Sequence, residues 1–109
     1  MVQSEETEIT FSADWLDRYV PRKRSDLLEL DMGDGIILYD DASKLVHHLN
    51  PSASIIWQLF EGEANASTLA TETSEELGVD LDQARADIAA LITELEALGL
   101  VEDAAGMRP

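Results

Sequence analysis

The hydrophobic period of the chain changes at Asn50-Pro51, and this change restricts the folds that the chain can adopt. Before this point, short apolar runs are separated by glycine and aspartate turns, a pattern typical of antiparallel strands. After it, apolar residues recur every three or four positions, as they do in amphipathic helices. A block of strands followed by a block of helices predicts a small α+β domain.

Three strands joined by two turns are predicted in the first block. Residues 28–32 are expected to form a half-buried strand, because leucine and methionine alternate there with two acids. Residues 33–35 make a turn in which glycine supplies a positive φ. The second and third strands are residues 36–39 and 44–49. Together they predict a three-stranded antiparallel meander.

The first two helices are predicted from the signals at their ends. Asn50 is a good N-cap, and Pro51 suits the first helical position because its missing N–H would have no partner there. Gly62 is expected to follow the end of this helix. The second helix covers about residues 67–77 and stops at Gly78.

The third helix has the clearest signals. Asp80 and Gln83 have the spacing of a capping box, and Gly99 is the expected stop. Its inward-facing stripe consists of Leu81, Ala84, Ile88, Leu91, Ile92, Leu95 and Leu98. Three strands followed by three helices, the last two joined by a short turn, predict an α+β fold that resembles a winged helix-turn-helix.

The polar ends of the chain are predicted to lie outside this domain. Residues 1–25 are expected to form an acidic tail and linker, 26–102 the domain, and 103–109 a second tail. The basic cluster at 22–24 is interpreted as part of a solvated linker. The N-terminus does not resemble a signal peptide, and no apolar run approaches the roughly 18 residues that span a membrane. A cytoplasmic protein without membrane contact is expected.

Charge restricts the partners of the chain. The net charge is −16, and residues 26–109 hold 18 of the 23 acids but only three of the seven bases. Such a surface repels phosphate backbones, so nucleic-acid binding is not expected despite the helix-turn-helix outline. The charge favours a basic partner or basic peptide, although solubility alone also explains it.

Neither composition nor motifs favour catalysis. The chain has no cysteine and no phosphate-binding or hydrolase motif. His47 and His48 are adjacent on a predicted strand, so they point to opposite faces and cannot bind one metal together. We therefore expect a protein that is not an enzyme, with no catalytic residue, no metal site and no cofactor.

Several short motifs follow one another in a fixed order within residues 28–101. They are residues 36–40 in the second strand, Leu49-Asn50 at the strand-to-helix junction, Trp57 with Leu59 and Gly62 in the first helix, residues 78–80 before the last helix, and Gly99-Leu100 after it. In this combination they resemble the PqqD-like family, coenzyme PQQ synthesis protein D, whose domain is also called the RiPP recognition element.

The resemblance implies a peptide-binding function. The chain would bind the leader segment of a ribosomally synthesised precursor peptide and present it to a peptide-modifying enzyme, such as a radical SAM protein. The leader would add as a strand to the edge of the third strand, and its side chains would enter a groove beside the third helix. The peptide-binding residues would be Lys44, Leu45, Val46, His47, His48, Arg85, Ile88, Ala89 and Ile92. Arg85 would pair with a leader carboxylate.

Alternative functions stay open at this level. An acidic adaptor that binds another protein and no leader peptide would have the same composition. A nucleic-acid binder is the third candidate, and the charge argues against it. The oligomeric state is also open, because an exposed edge strand pairs with a second copy as readily as with a peptide.

Overall fold

The computed structural model describes residues 14–105. A short 3₁₀ helix at Asp14–Asp17 comes first in this range. The strands are β1 (Pro21–Lys23), β2 (Leu28–Asp31), β3 (Ile36–Asp40), β4 (Leu45–Leu49) and β5 (Val101–Asp103), and the helices are α1 (Pro51–Gln58), α2 (Ala66–Leu77) and α3 (Leu81–Ala97). Strands β2, β3 and β4 form an antiparallel sheet in that order, and the three helices follow it. The predicted α+β fold is therefore confirmed, while its winged helix-turn-helix character stays a prediction.

Helices α1 and α3 begin after the predicted caps, and α2 and α3 end just before the predicted glycines. Helix α1 ends earlier than expected, at Gln58, and its C-cap is Leu59 instead of a residue next to Gly62. Asn50 Oδ1 accepts a hydrogen bond from the Ala53 N–H at 2.8 Å, and Asp80 Oδ1 accepts one from the Gln83 N–H at 2.8 Å. Gly78 has a φ of 71° at the end of α2. The capping box of α3 is only half formed, because the Gln83 side chain donates to Asp87 Oδ1 instead of returning to the cap.

A second, two-stranded sheet joins the beginning and the end of the described domain. Strand β1 pairs antiparallel with β5, and Arg22 lies opposite Glu102, to which its guanidinium donates at 2.6 Å. Leu16 and Tyr19, just before β1, are completely buried in the core. The predicted linker is therefore part of the domain from residue 14 onward. The sequence did not indicate this pairing, because strands of three residues show no period.

Trp57 is at the centre of the single core. Its side chain has no exposed surface, its ring lies 6.3 Å from that of Phe60, and Lys23 Nζ lies 5.4 Å from its centroid. The core also contains Ile36, Leu38, Leu49, Ile56, Ala84, Ile88, Leu91, Ile92, Leu95, Leu100 and Val101. The cluster thus draws on the inner face of the sheet, all three helices and β5.

The expectation that the β2 strand is half-buried is wrong. Leu28 and Leu30 are 65% and 56% exposed, and all four residues of β2 are exposed. The register places Leu30 opposite Ile37, whereas the core is reached by Ile36 and Leu38 on the other face of β3. A period of two identifies an apolar face of a strand but not the side on which the core lies.

The inward-facing stripe predicted for α3 is shorter than expected. Ala84, Ile88, Leu91, Ile92 and Leu95 are buried, as the period predicts. The stripe's two terminal leucines, Leu81 and Leu98, are each 45% exposed because they extend past the core at either end of the helix.

Among the described residues, the structure contains no helix that is long and apolar enough to cross a membrane.

Candidate functional site

Strand β4 is an edge of the three-stranded sheet, and its hydrogen-bonding phase follows from the β2–β3 turn. The Met32 N–H donates to the Gly35 carbonyl at 2.8 Å. Hydrogen-bonded and non-hydrogen-bonded pairs alternate along an antiparallel ladder. Asp31 and Ile36 are therefore a non-hydrogen-bonded pair, and Leu30 and Ile37 form the next hydrogen-bonded pair. The backbone groups of Ile37 therefore point towards β2, and those of its neighbours in β3 point towards β4.

The same alternation defines the open edge of the sheet. Leu38 lies opposite His47 in the β3–β4 register, and these two form a hydrogen-bonded pair. The N–H and C=O groups of Val46 and His48 consequently point away from β3. We call this row of outward-facing backbone groups the open edge. It is the feature to which an extended chain adds as a further strand.

Side chains of β4 alternate between the two faces of the sheet. Leu45, His47 and Leu49 share a face with Leu38 and the core, whereas Val46 and His48 project from the opposite face. Leu45 remains half exposed on the core side, and Leu49 is buried. Nε2 of His47 is buried and has no hydrogen-bond partner among the described residues.

Gly35 holds the far end of β4 close to β3. A Cβ atom at this position would lie 2.4 Å from the carbonyl oxygen of Leu49, which is a backbone atom and cannot move aside alone. Glycine is therefore needed here for close approach of two backbones. The turn that the sequence predicts at residues 33–35 thus also fixes the place where β4 ends and α1 begins.

The residues predicted on α3 are not all accessible. Ile88 and Ile92 are completely buried in the core, where a peptide would not reach them directly. Arg85 lies on the side of α3 that contacts α2, where its Nη1 donates to Ser67 Oγ at 3.1 Å. Ala89, one turn further along, is half-buried on that same side. As peptide contacts, these four residues stay predictions.

Sequence reasoning missed the other side of α3. Because one turn takes 3.6 residues, Asp87, Leu91, Glu94 and Leu98 lie on the side turned away from Arg85. We call this row the Leu98 flank. Leu91 is buried, whereas Leu98 is 45% exposed at the end of the helix. The spacing of 87, 91, 94 and 98 could have found the row, but nothing in the sequence indicates which side of α3 is free.

Arg24 fixes the end of the Leu98 flank next to the start of β4. Its guanidinium donates to the Gly99 carbonyl at 3.1 Å and to Asp40 Oδ1 at 2.6 Å. Asp40 lies opposite Leu45 in the sheet. The residue that follows Leu98 and the residue opposite Leu45 are thus joined by one guanidinium, which places the end of α3 near the start of β4.

The Arg24 side chain holds the pKa of the buried Asp40 carboxyl at about 2, below its ordinary 3.8. A carboxyl whose pKa is lowered by folding stabilises the protein above its unfolded pKa and loses that effect as the pH falls towards its folded pKa. We therefore expect the wild-type melting temperature to fall between pH 4 and pH 2 by more than that of Asp40→Asn, as followed by circular dichroism. Parallel curves for the two proteins would contradict this role of Asp40.

No group of three or more His, Asp or Glu residues in the described range could hold a metal ion. What the site offers is a strand edge and, on α3, a flank that carries the half-exposed Leu98 and the acids Asp87 and Glu94. This arrangement can bind an extended peptide through its backbone and select it through its side chains.

The order of the elements and the open edge define this chain as a small α+β domain with an exposed strand edge, and a comparison with known families assigns it more closely. The family model for coenzyme PQQ synthesis protein D (PqqD) matches residues 35–101. The chain therefore belongs to the PqqD family. No curated protein matches the chain significantly.

Two solved structures are similar to the chain. One is described as lasso peptide synthetase B1 complexed with the leader peptide; it is 28% identical, with a TM-score of 0.66, and the match covers 75% of this chain and 96% of that one. The other, TbiB1 in complex with the TbiA(beta) leader peptide, has a TM-score of 0.68, and the match covers 81% of this chain and 99% of that one. At 18% identity, the second similarity supports the fold alone.

Proposed function

We propose that this chain binds the leader segment of a ribosomally synthesised precursor peptide at the open edge of β4 and presents it to a peptide-modifying enzyme. The observation that carries the proposal is the outward-facing backbone of Val46 and His48. Membership of the PqqD family supports it. So does the 28% identical synthetase B1 structure, which is described as a leader-peptide complex.

In this proposal, backbone pairing gives affinity and the groove gives selectivity. Val46 and His48 together offer two N–H donors and two C=O acceptors, each worth about 0.5–1.5 kcal/mol when paired. Alternate side chains of the peptide then point towards Leu45 and the Leu98 flank. The carboxylates of Asp87 and Glu94 on that flank favour a leader that carries basic residues.

The chain acts in this proposal as a binding protein and not as an enzyme, and it works in the cytoplasm, where precursor peptides are made. Holding the leader near the modifying enzyme raises the effective concentration of the substrate without any chemistry by this chain.

The direct test is a titration of the full chain with synthetic leader segments of the short peptides encoded beside its gene. Intrinsic tryptophan fluorescence and calorimetry should both report saturable one-to-one binding, and a scrambled leader should not bind. Absence of binding to every neighbouring leader, with the protein shown to be folded, would contradict the proposal and favour the acidic adaptor.

The two sides of α3 can be distinguished by substitution. We expect Leu98→Ala to weaken leader binding about tenfold, because burying a leucine side chain contributes roughly 1.5–3 kcal/mol. Leu81→Ala is the matched control, since Leu81 is another leucine of α3 that is also 45% exposed. It should change the affinity less than twofold. A larger loss in Arg85→Glu than in Leu98→Ala would place the peptide on the α2 side instead.

A further inference from the structure

The face of the sheet turned away from the core carries a regular array of apolar side chains. The register places Leu28, Tyr39 and Val46 in one row across the three strands, and Leu30, Ile37 and His48 in the next. The leucines of β2 are more than half exposed, and Val46 is 62% exposed. We call these two rows the outer face.

Within residues 14–105, the buried residues of the sheet lie on the side opposite the outer face. Ile36, Leu38 and Leu49 join the core with the helices. Scattered apolar residues on a protein surface are ordinary. On the outer face, however, five apolar or aromatic residues occupy adjacent positions and form a contiguous patch: Leu28, Leu30, Ile37, Tyr39 and Val46. Such patches mark sites of interaction. If the outer face of β2 met only water, nothing would favour leucine at both position 28 and position 30.

The charges around the outer face select the kind of partner. Asp34 and Asp41 lie in the two turns that border it, and Lys44, at the end of the second turn, is already paired with Asp41 at 2.9 Å. A second copy of this chain, with a net charge of −16, would bring a second acidic border against the first. A protein with an apolar patch edged by basic residues would meet no such repulsion.

The outer face is also continuous with the open edge. The side chains of Val46 and His48 project from the outer face, while their backbone groups point along the sheet plane to the open edge. A peptide strand added to β4 would therefore extend the sheet, and every second side chain of the peptide would extend the outer face. A protein seated on that face would touch this chain and its peptide together.

We propose that the outer face is the docking surface for the peptide-modifying enzyme, which places an apolar patch with a basic border against it. The inference rests on the proposed function, because it takes the enzyme as the partner that needs to meet the bound peptide. It also implies coupling: the enzyme should bind the complex with the leader more tightly than it binds this chain alone.

The test measures two affinities on the same full-length proteins. Calorimetry would give the affinity of the purified modifying enzyme encoded beside this gene, and separately that of the leader, for the wild type, Leu30→Glu and Thr71→Glu. Leu30 lies on β2, two strands from the open edge, and Thr71 is an exposed control on α2. We expect Leu30→Glu to lose at least tenfold in enzyme affinity and less than twofold in leader affinity, and Thr71→Glu to keep both.

Enzyme binding by Leu30→Glu at wild-type affinity would overturn the proposal. Sedimentation that showed a wild-type dimer, dissociated by Leu30→Glu, would assign the outer face to a second copy. A further variant replaces Val2, Ile9 and Phe11 by serine. If this variant bound the enzyme tenfold more tightly than the wild type, the outer face would be assigned to the chain's own N-terminal segment. A failure of the proposed function is distinguishable, because the wild type would then bind the enzyme but no leader.

Discussion

Val46→Pro is expected to weaken leader binding strongly while leaving the domain folded. Proline has no N–H, and its ring would occupy the space in which the peptide backbone lies. Because the Val46 N–H points away from β3, its loss removes no hydrogen bond of the sheet, and proline is tolerated at such edge positions. One lost hydrogen bond together with the steric clash should cost 30-fold or more in affinity, on the order of 2 kcal/mol. Calorimetric titration with the synthetic leader would measure the loss.

Glu29→Pro is the matched control for Val46→Pro. By the same alternation, the Glu29 N–H points away from β3 at the opposite edge of the sheet, on β2. This variant should bind the leader as the wild type does. If a folded Val46→Pro variant kept its affinity, strand addition at β4 would be wrong. If Glu29→Pro lost the affinity instead, the peptide would belong on β2.

Trp57→Ala is expected to destabilise the domain by about 3–5 kcal/mol, which is a large part of the stability of a typical small domain. Trp57 is the largest of the completely buried side chains, and it packs against Phe60. Its removal leaves a cavity that the surrounding helices and sheet cannot fill. Thermal unfolding followed by circular dichroism should show a melting temperature roughly 15 °C or more below that of the wild type.

Trp57→Phe distinguishes two contributions of Trp57 to stability: the volume that its side chain fills in the core and the polar nitrogen of its indole ring. Nε1 of Trp57 is buried and has no hydrogen-bond partner among the described residues, so its removal leaves no group unsatisfied. We expect this variant to cost less than half as much as Trp57→Ala. Equal losses in the two variants would mean that the filled volume of the core is not the main contribution of this residue.

The helix-capping residues and the spacing of apolar residues along the chain predicted most of the fold. Asn50 and Asp80 cap helices as expected, and the three predicted strands pair in the predicted order. These signals are local, since each depends on residues a few positions apart. The β1–β5 pairing depends on segments about 80 residues apart in the sequence, and such a contact leaves no periodic signal in strands of three residues.

The candidate site was harder to predict than the fold. The edge strand itself follows from the order of the elements, and the resemblance to the PqqD-like family indicated that β4 is that edge. The period of α3 identified its buried stripe, but it could not show that Arg85 faces α2 while Leu98 lies half exposed on the opposite side of the helix. The exposure of Leu28 and Leu30 was missed for the same reason. The alternation of apolar and polar residues distinguishes the two faces of a strand, but it does not show which face packs against the core.

The pairing of β1 with β5 also bears on the order of folding. Closing a loop of about 80 residues costs roughly 4 kcal/mol of chain entropy, whereas the β2–β3 and β3–β4 hairpins close over only a few residues. The hairpins and helices are therefore expected to assemble first, and the terminal ribbon to form late, once the core has brought its two strands together. On the folded protein, the ribbon is then the part expected to open first, while the open edge stays in the portion of the domain that local contacts hold together.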